Sequence, residues 1–150
     1  MPLALREHIC RARKLPRNDE LLMARAELLL PEDRDLIEAV FVHRQSAVTL
    51  GRMLGVNPRR IRRRVHLLAR RMASRRFMDA ARALPYLDDR DAGIARMAFC
   101  RHLSQREIAK RTGLKRHEVR RKLDRLSVRI SMIRRLSRPE ELIAGRYATK

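Results

Sequence analysis

Arginine is concentrated in one part of this 150-residue sequence, where its chemistry favours binding to a polyanion. Nine arginines and no acidic residue occur between positions 57 and 76. A guanidinium group presents a planar fork of N–H donors, which matches a phosphate or the O6 and N7 atoms of guanine. The segment therefore carries side chains that suit contact with a nucleic acid backbone and with base edges.

The apolar residues of this segment predict a helix with the arginines on its outer face. An apolar ladder runs from Ile61 to Met72 at spacings of four, three and four residues, which is typical of one buried helical face. The candidate DNA-binding residues of this segment are Asn57, Arg59, Arg60, Arg62, Arg63 and His66.

The chain repeats this pattern 58 residues further on. That shift places Gly55 on Gly113 and superimposes the apolar ladder on one that runs from Val119 to Ile130. We interpret the repeat as a duplication. The candidate DNA-binding residues of the second copy are Lys115, Arg116, His117, Arg120 and Arg121.

The two copies differ at two places that bear on function and length. Asp124 stands where the first copy has His66, and a carboxylate can accept a hydrogen bond from N4 of cytosine. Upstream, the acidic cluster at 32–35 resembles the cluster at 88–91 at an offset of 56. That offset predicts two extra residues in the first helix of the second copy.

The first copy has the turn signals of a helix-turn-helix. A predicted short helix over 47–54 ends at Gly55, where a positive φ suits glycine, and Asn57 with Pro58 begins the next helix. Gly51 is predicted to lie where the two helices approach closely. The residues spaced to pack the two helices together are Leu50, Leu54, Val56, Ile61 and Val65.

The second copy has comparable signals with two departures. Ser104 and Glu107 have the spacing of a capping box, and Gly113 marks the turn. Thr112 replaces an apolar residue of the first copy, and Lys115 stands where a capping residue is expected.

Composition and patterning predict an all-α fold. Residues that favour helix dominate the sequence, and no segment shows the period-two alternation of strands. The predicted helices span 3–14, 18–30, 32–44, 46–54, 57–84 (continuous or broken near Ser74), 87–101, 104–112 and 115–136, with a short one from Pro139. We predict two tandem helix-turn-helix modules over 28–76 and 77–136, an N-terminal helical extension over 1–27 and a C-terminal tail over 137–150.

Two segments of the chain carry a family resemblance. The first copy contains Leu-Pro-Glu-Asp-Arg-Asp-Leu-Ile and then Leu-Gly-Arg-Met-Leu-Gly-Val-Asn-Pro-Arg-Arg-Ile-Arg-Arg-Arg-Val; the second contains Leu-Ser-Gln-Arg-Glu-Ile-Ala-Lys-Arg-Thr-Gly-Leu, followed by Val119. Both resemble region 4 of bacterial sigma-70-type factors, over about 28–74 and 84–130. The resemblance implies contact with the −35 promoter element and with the RNA polymerase flap. The chain has no aromatic-rich segment resembling the region that melts the −10 element, so we do not expect a complete sigma factor.

Charge and composition narrow the function classes further. The sequence has 37 Lys and Arg against 17 Asp and Glu, a net charge of +20, and 45% of its residues are hydrophobic. Such a chain is expected to fold and to bind a polyanion, with an acidic membrane surface as the second choice. No apolar run is long enough to span a membrane. Cys10 and Cys100 are too few for a disulfide framework, so we expect a cytoplasmic protein located at the nucleoid.

The leading hypothesis is a double-stranded DNA-binding protein that acts as a transcription regulator or a nucleoid-associated factor. One alternative is a basic RNA- or ribosome-binding protein, which the scarcity of aromatic residues disfavours. The other is a sigma-like protein that engages RNA polymerase without reading DNA. A second copy of the chain is a further candidate partner, through the apolar stripes of the N-terminal helices. We expect no enzyme activity, no metal site and no cofactor.

Overall fold

The structure, a computed structural model, describes residues 18–137, and this part of the chain is built from helices. It contains eight α-helices, one 3-10 turn and one π-helical segment, with no strand between residues 18 and 137. The all-α prediction is confirmed. None of the helices in this range is long and apolar enough to cross a membrane.

The chain divides into two compact units, one ending at Phe77 and one beginning at Met78. The helices of the first unit are α1 (Asp19–Ala26), α2 (Pro31–Phe41), α3 (Ala47–Leu54) and α4 (Pro58–Ala73), and α5 (Arg75–Ala83) contains the boundary. The second unit continues with a 3-10 turn (Leu84–Tyr86), α6 (Asp89–Ala95), a π-helical segment (Arg96–Cys100), α7 (Gln105–Thr112) and α8 (Arg116–Leu136).

Several helix bounds differ from the sequence-based expectation or decide between its alternatives. The helix predicted over 32–44 ends at Phe41, and the one predicted over 87–101 is divided into α6 and the π-helical segment. Helix α1 begins after the predicted cap Asn18, whose side chain accepts from the Glu20 N–H, but it ends at Ala26 and not at residue 30. The predicted helix over 57–84 is broken at Ser74. The Ser74 hydroxyl donates to the Arg71 carbonyl and accepts from the Phe77 N–H, so it ends one helix and begins the next. The helices predicted over 3–14 and from Pro139 lie outside the described residues.

The core of the first unit is formed where α2 packs against α1 and α4, and where α3 packs against α4. Its buried apolar side chains are Leu22, Ala26, Leu29, Ile37, Val40, Phe41, Leu50, Ile61, Val65, Leu68, Ala69, Met72 and Phe77. The ladder predicted on α4 is therefore buried. Burying a side chain of this size contributes about 1.5–3 kcal/mol, so this face holds α4 firmly to its unit.

The second unit has a corresponding core beneath α8. Its buried apolar side chains are Ala80, Ala83, Ile94, Ala95, Phe99, Cys100, Ile108, Val119, Leu126 and Ile130. Cys100 packs as a small apolar residue, as predicted, and burial raises the pKa of its thiol to about 11. The thiol is therefore neutral near pH 7 and contributes to packing.

Candidate nucleic-acid interface

A three-residue connection joins α3 to α4 and fixes the entry into the arginine-rich helix. Gly55 ends α3 in the left-handed conformation, with φ at 64°. Asn57 then caps α4, because its Oδ1 accepts from the Arg59 N–H at 2.8 Å, and Pro58 takes the first helical position. These local predictions are confirmed. The connection is short, so the first turn of α4 is held close to α3.

Gly51 allows the close approach of the two helices. A Cβ atom at this position would lie 2.6 Å from the Val56 carbonyl oxygen and 3.0 Å from Cγ of Pro58. A backbone oxygen cannot yield as the end of a flexible side chain can. The prediction that a small residue is needed here is confirmed.

The second unit builds the same connection with different caps. Ser104 and Glu107 form the predicted capping box, in which each side chain accepts from the other residue's backbone N–H. Gly113 has a φ of 71° and ends α7. Lys115 precedes α8 and makes no side-chain cap; instead its backbone N–H donates to the Glu118 carboxylate at 2.7 Å. Glu118 thus provides one half of a capping box, and the other half is missing because a lysine side chain has no hydrogen-bond acceptor.

The two units correspond at a single offset of 58 residues. Helices α2 and α6 begin at Pro31 and Asp89, and the left-handed residues before the following helices are Arg44 and His102. The prediction of two extra residues in the second copy was wrong. Its acidic cluster begins with Asp88, which caps α6, whereas the cluster of the first copy lies inside α2. Similar residue types therefore occupy different helical positions.

The eleven predicted DNA-binding residues lie in the first turns of α4 and α8 or cap them, and all are exposed. They are Asn57, Arg59, Arg60, Arg62, Arg63, His66, Lys115, Arg116, His117, Arg120 and Arg121. Within residues 18–137, the arginines of this set form no ion pair. In each unit they form an exposed cationic face, opposite the buried ladder. Asn57 differs from the others because its side chain is engaged as a cap.

Charge is distributed differently on the two cationic faces. Helix α4 contains seven arginines and no acidic residue, while the packed helix α2 carries four acidic residues. Helix α8 contains seven arginines and one lysine, but Glu118 and Asp124 interrupt its outer face. The potential outside α4 is therefore the more uniformly positive of the two.

Leu54 does not pack between α3 and α4, and this prediction was wrong. It is the last residue of α3 and is 62% exposed, whereas Leu50, Ile61 and Val65 are buried. Leu54 lies beside a groove that also contacts Leu36 of α2. Helical spacing placed it on the apolar face, but the chain turns away at Gly55 before a neighbour covers it.

Sequence reasoning missed two buried or half-buried carboxylates. Each lies on the helix that packs against α4 or α8 and pairs with cations of that helix. Asp33 of α2 is 4% exposed and accepts from Nε and Nη2 of Arg64 at 2.8 and 2.7 Å. Asp91 of α6 contacts Nζ of Lys122 at 3.0 Å and Nη1 of Arg129 at 2.8 Å. Each carboxylate lies 31 or more residues before its cations in the sequence. The only sequence signal for these pairs is that the same residue types recur 58 positions later.

Comparison with known proteins gives no further guide to the site. No family model matches the chain, and no significantly similar curated protein or solved structure was found. In residues 18–137, no group of three His, Cys, Asp or Glu side chains is arranged to hold a metal ion.

Proposed function

We propose that this chain binds double-stranded DNA through two helix-turn-helix units and acts as a transcription regulator or a nucleoid-associated factor. The observation that carries the proposal is the exposed face of α4, on which Arg59, Arg60, Arg62 and Arg63 stand with no acidic neighbour on the helix. A face of this kind suits a dense row of phosphates and the acceptor atoms of guanine.

The dimensions of α4 suit the major groove of DNA. Its 16 residues span about 24 Å, and the groove of B-form DNA is about 12 Å wide, enough to admit a helix with its side chains. Arg59, Arg60, Arg62 and Arg63 lie in its first two turns, the part of a reading helix that reaches base edges. The A-form major groove of duplex RNA is deep and narrow, so the same geometry favours DNA over the RNA alternative.

The two units are proposed to contribute unequally. α4 supplies the larger part of the phosphate contacts, because its outer face is cationic throughout. α8 contributes fewer, but Asp124 gives it an acceptor for N4 of cytosine. The resemblance to sigma region 4 keeps RNA polymerase as a second proposed partner, and the nucleoid as the proposed location.

The test is the salt dependence of binding to a labelled mixed-sequence DNA duplex. If 6–10 phosphates are contacted, affinity should fall by roughly 10³–10⁵ between 50 and 200 mM salt. Arg62→Ala with Arg63→Ala should weaken binding and leave the melting temperature nearly unchanged, because exposed side chains typically contribute within about 0.5 kcal/mol to folding. An RNA duplex of the same sequence is the control for the alternative function. Salt-insensitive binding, or equal preference for the RNA duplex, would contradict the proposal.

A further inference from the structure

The cations of α4 fall into two groups, although the sequence presents them as one run. Arg62 and Arg63 point outward, whereas Arg64 turns back to α2 and holds both oxygens of Asp33. Arg71 approaches the same carboxylate at 3.8 Å and is largely covered, with 14% of its side chain exposed. One nearly buried carboxylate thus binds two of the seven arginines of the helix.

The second unit repeats this arrangement position by position. Asp91, Lys122 and Arg129 stand 58 residues after Asp33, Arg64 and Arg71, and Asp91 contacts both cations. Lysine replaces arginine at the middle position, so the charge is kept although the side chain differs. Three chemically matched positions at one offset indicate that the carboxylate serves the same purpose in both units.

We propose that Asp33 and Asp91 are positioning residues that set how many cations each unit presents to DNA. The inference rests on the proposed function. Each carboxylate ties the first helix of its unit to the reading helix and keeps two cations away from phosphates. A phosphate contact strengthens binding to every sequence alike, so limiting such contacts raises the share of affinity that depends on base contacts.

The first measurement is the salt dependence of duplex binding for Asp33→Asn. Asparagine keeps the size of the side chain but removes the charge that holds Arg64. The variant should be less stable than the wild type, and its plot of log affinity against log salt should be steeper by about 0.9 for each arginine that reaches a phosphate. A carboxylate that only stabilises the fold would lower stability and leave this slope unchanged, which would overturn the inference.

Matched variants identify the released cation. Asp33→Asn combined with Arg64→Gln should return the slope toward that of the wild type. Asp33→Asn combined with Arg63→Gln should still have a steeper slope than Arg63→Gln alone, because Arg64 is released. Arg64→Lys alone should retain most of the stability, because Lys122 makes the equivalent contact in the second unit. If the double variant with Arg64→Gln keeps the full increase, and so does one with Arg71→Gln in its place, Asp33 withholds neither arginine and the inference fails.

Asp91→Asn provides the same test if Asp33→Asn does not fold. The Asp91 side chain is 16% exposed against 6% for Asp33, so its substitution leaves a smaller buried polar defect. Its slope should steepen through Lys122 and Arg129. Failure of the proposed function can be distinguished from failure of this inference. In the first case, wild-type binding itself lacks the steep salt dependence. In the second case, the wild type keeps that dependence, and the aspartate variants have the same slope as the wild type.

Discussion

Helices α4 and α8 occupy matching positions in the two units, and their buried faces are more alike than their outer faces. Both carry an apolar ladder, and both hold the carboxylate of a preceding helix through two cations. Their outer faces differ, because α8 carries Glu118 and Asp124 where α4 carries Arg60 and His66. Packing constrains the inner face of each helix, whereas the exposed outer faces carry different charges.

The two helices also end differently, for a reason that lies in one side chain. Helix α4 stops where the Ser74 hydroxyl hydrogen-bonds the backbone, but the matching residue in α8 is Met132, which offers no such competing bond. Helix α8 therefore continues to Leu136. The extension carries the exposed Met132 and Leu136, which follow the exposed Val128. Arg129 and Arg135 are also exposed there, so the second half of α8 presents both apolar and cationic side chains.

The largest expected difference between the units concerns Gly51, whose matching residue is Ala109. Gly51→Ala should destabilise the protein by about 1–3 kcal/mol, because the added Cβ forces the Val56 carbonyl to move. Ala109→Gly should cost only about 0.5–1 kcal/mol through helix propensity. Urea denaturation of the two variants measures both values. Equal losses would show that the two connections are packed alike.

A reciprocal exchange tests the outer faces. Asp124→His should strengthen binding to a DNA duplex of A·T pairs alone, which has no cytosine for Asp124 to contact, by about 1 kcal/mol, close to fivefold, because it removes a negative charge near phosphates. His66→Asp should weaken binding by a similar factor. Both sites are exposed, so the melting temperatures serve as the control for folding. Changes of the same sign in the two variants would refute a shared orientation toward DNA.

The smallest expected effect is a pH dependence confined to the second unit. The hydrogen bonds from Ser104 hold the pKa of Glu107 below its ordinary value, so the bonded carboxylate stabilises the start of α7 above that ordinary pKa. This stabilisation is lost as pH falls through the lowered pKa of the folded state. The matching residue in the first unit is Thr49, which does not titrate.

NMR shifts of the Ser104 amide and of the matching Ser46 amide measure this difference. The Ser104 amide should shift as the pH falls through the lowered pKa of Glu107, while the Ser46 amide should not. Glu107→Gln keeps an acceptor without a titrating group and should abolish the transition. A transition that survives in Glu107→Gln would assign it to another carboxyl group.

Local features of this fold could be predicted from the sequence, and long-range ones could not. The caps at Asn18 and Asn57 and the turn at Gly55 were predicted, because their hydrogen bonds and backbone angles involve residues only a few positions apart. Leu54 is exposed because no neighbouring element in the described part of the chain covers the end of α3. Helical periodicity carries no information on such coverage, and so the residue was misplaced.

The candidate site shows the same limit. The outward direction of Arg62 and Arg63 follows from the buried ladder on their own helix. The inward turn of Arg64 depends on Asp33, which lies 31 residues earlier and meets it only after α2 packs on α4. The adjacent arginines at 62–64 look alike in the sequence, but two of them face solvent and the third pairs with Asp33. The repeat contained the missing signal, since the three positions recur together.

Hydroxyl-radical footprinting on one DNA site with two variants tests most directly whether both units bind DNA. One carries Arg62→Ala and Arg63→Ala, and the other carries Arg120→Ala and Arg121→Ala. If both units bind DNA, each variant should lose protection over a different part of the wild-type footprint and keep the remainder. If the second variant protects the same nucleotides as the wild type with the same affinity, α8 does not contact DNA, and the account of two DNA-binding units is contradicted.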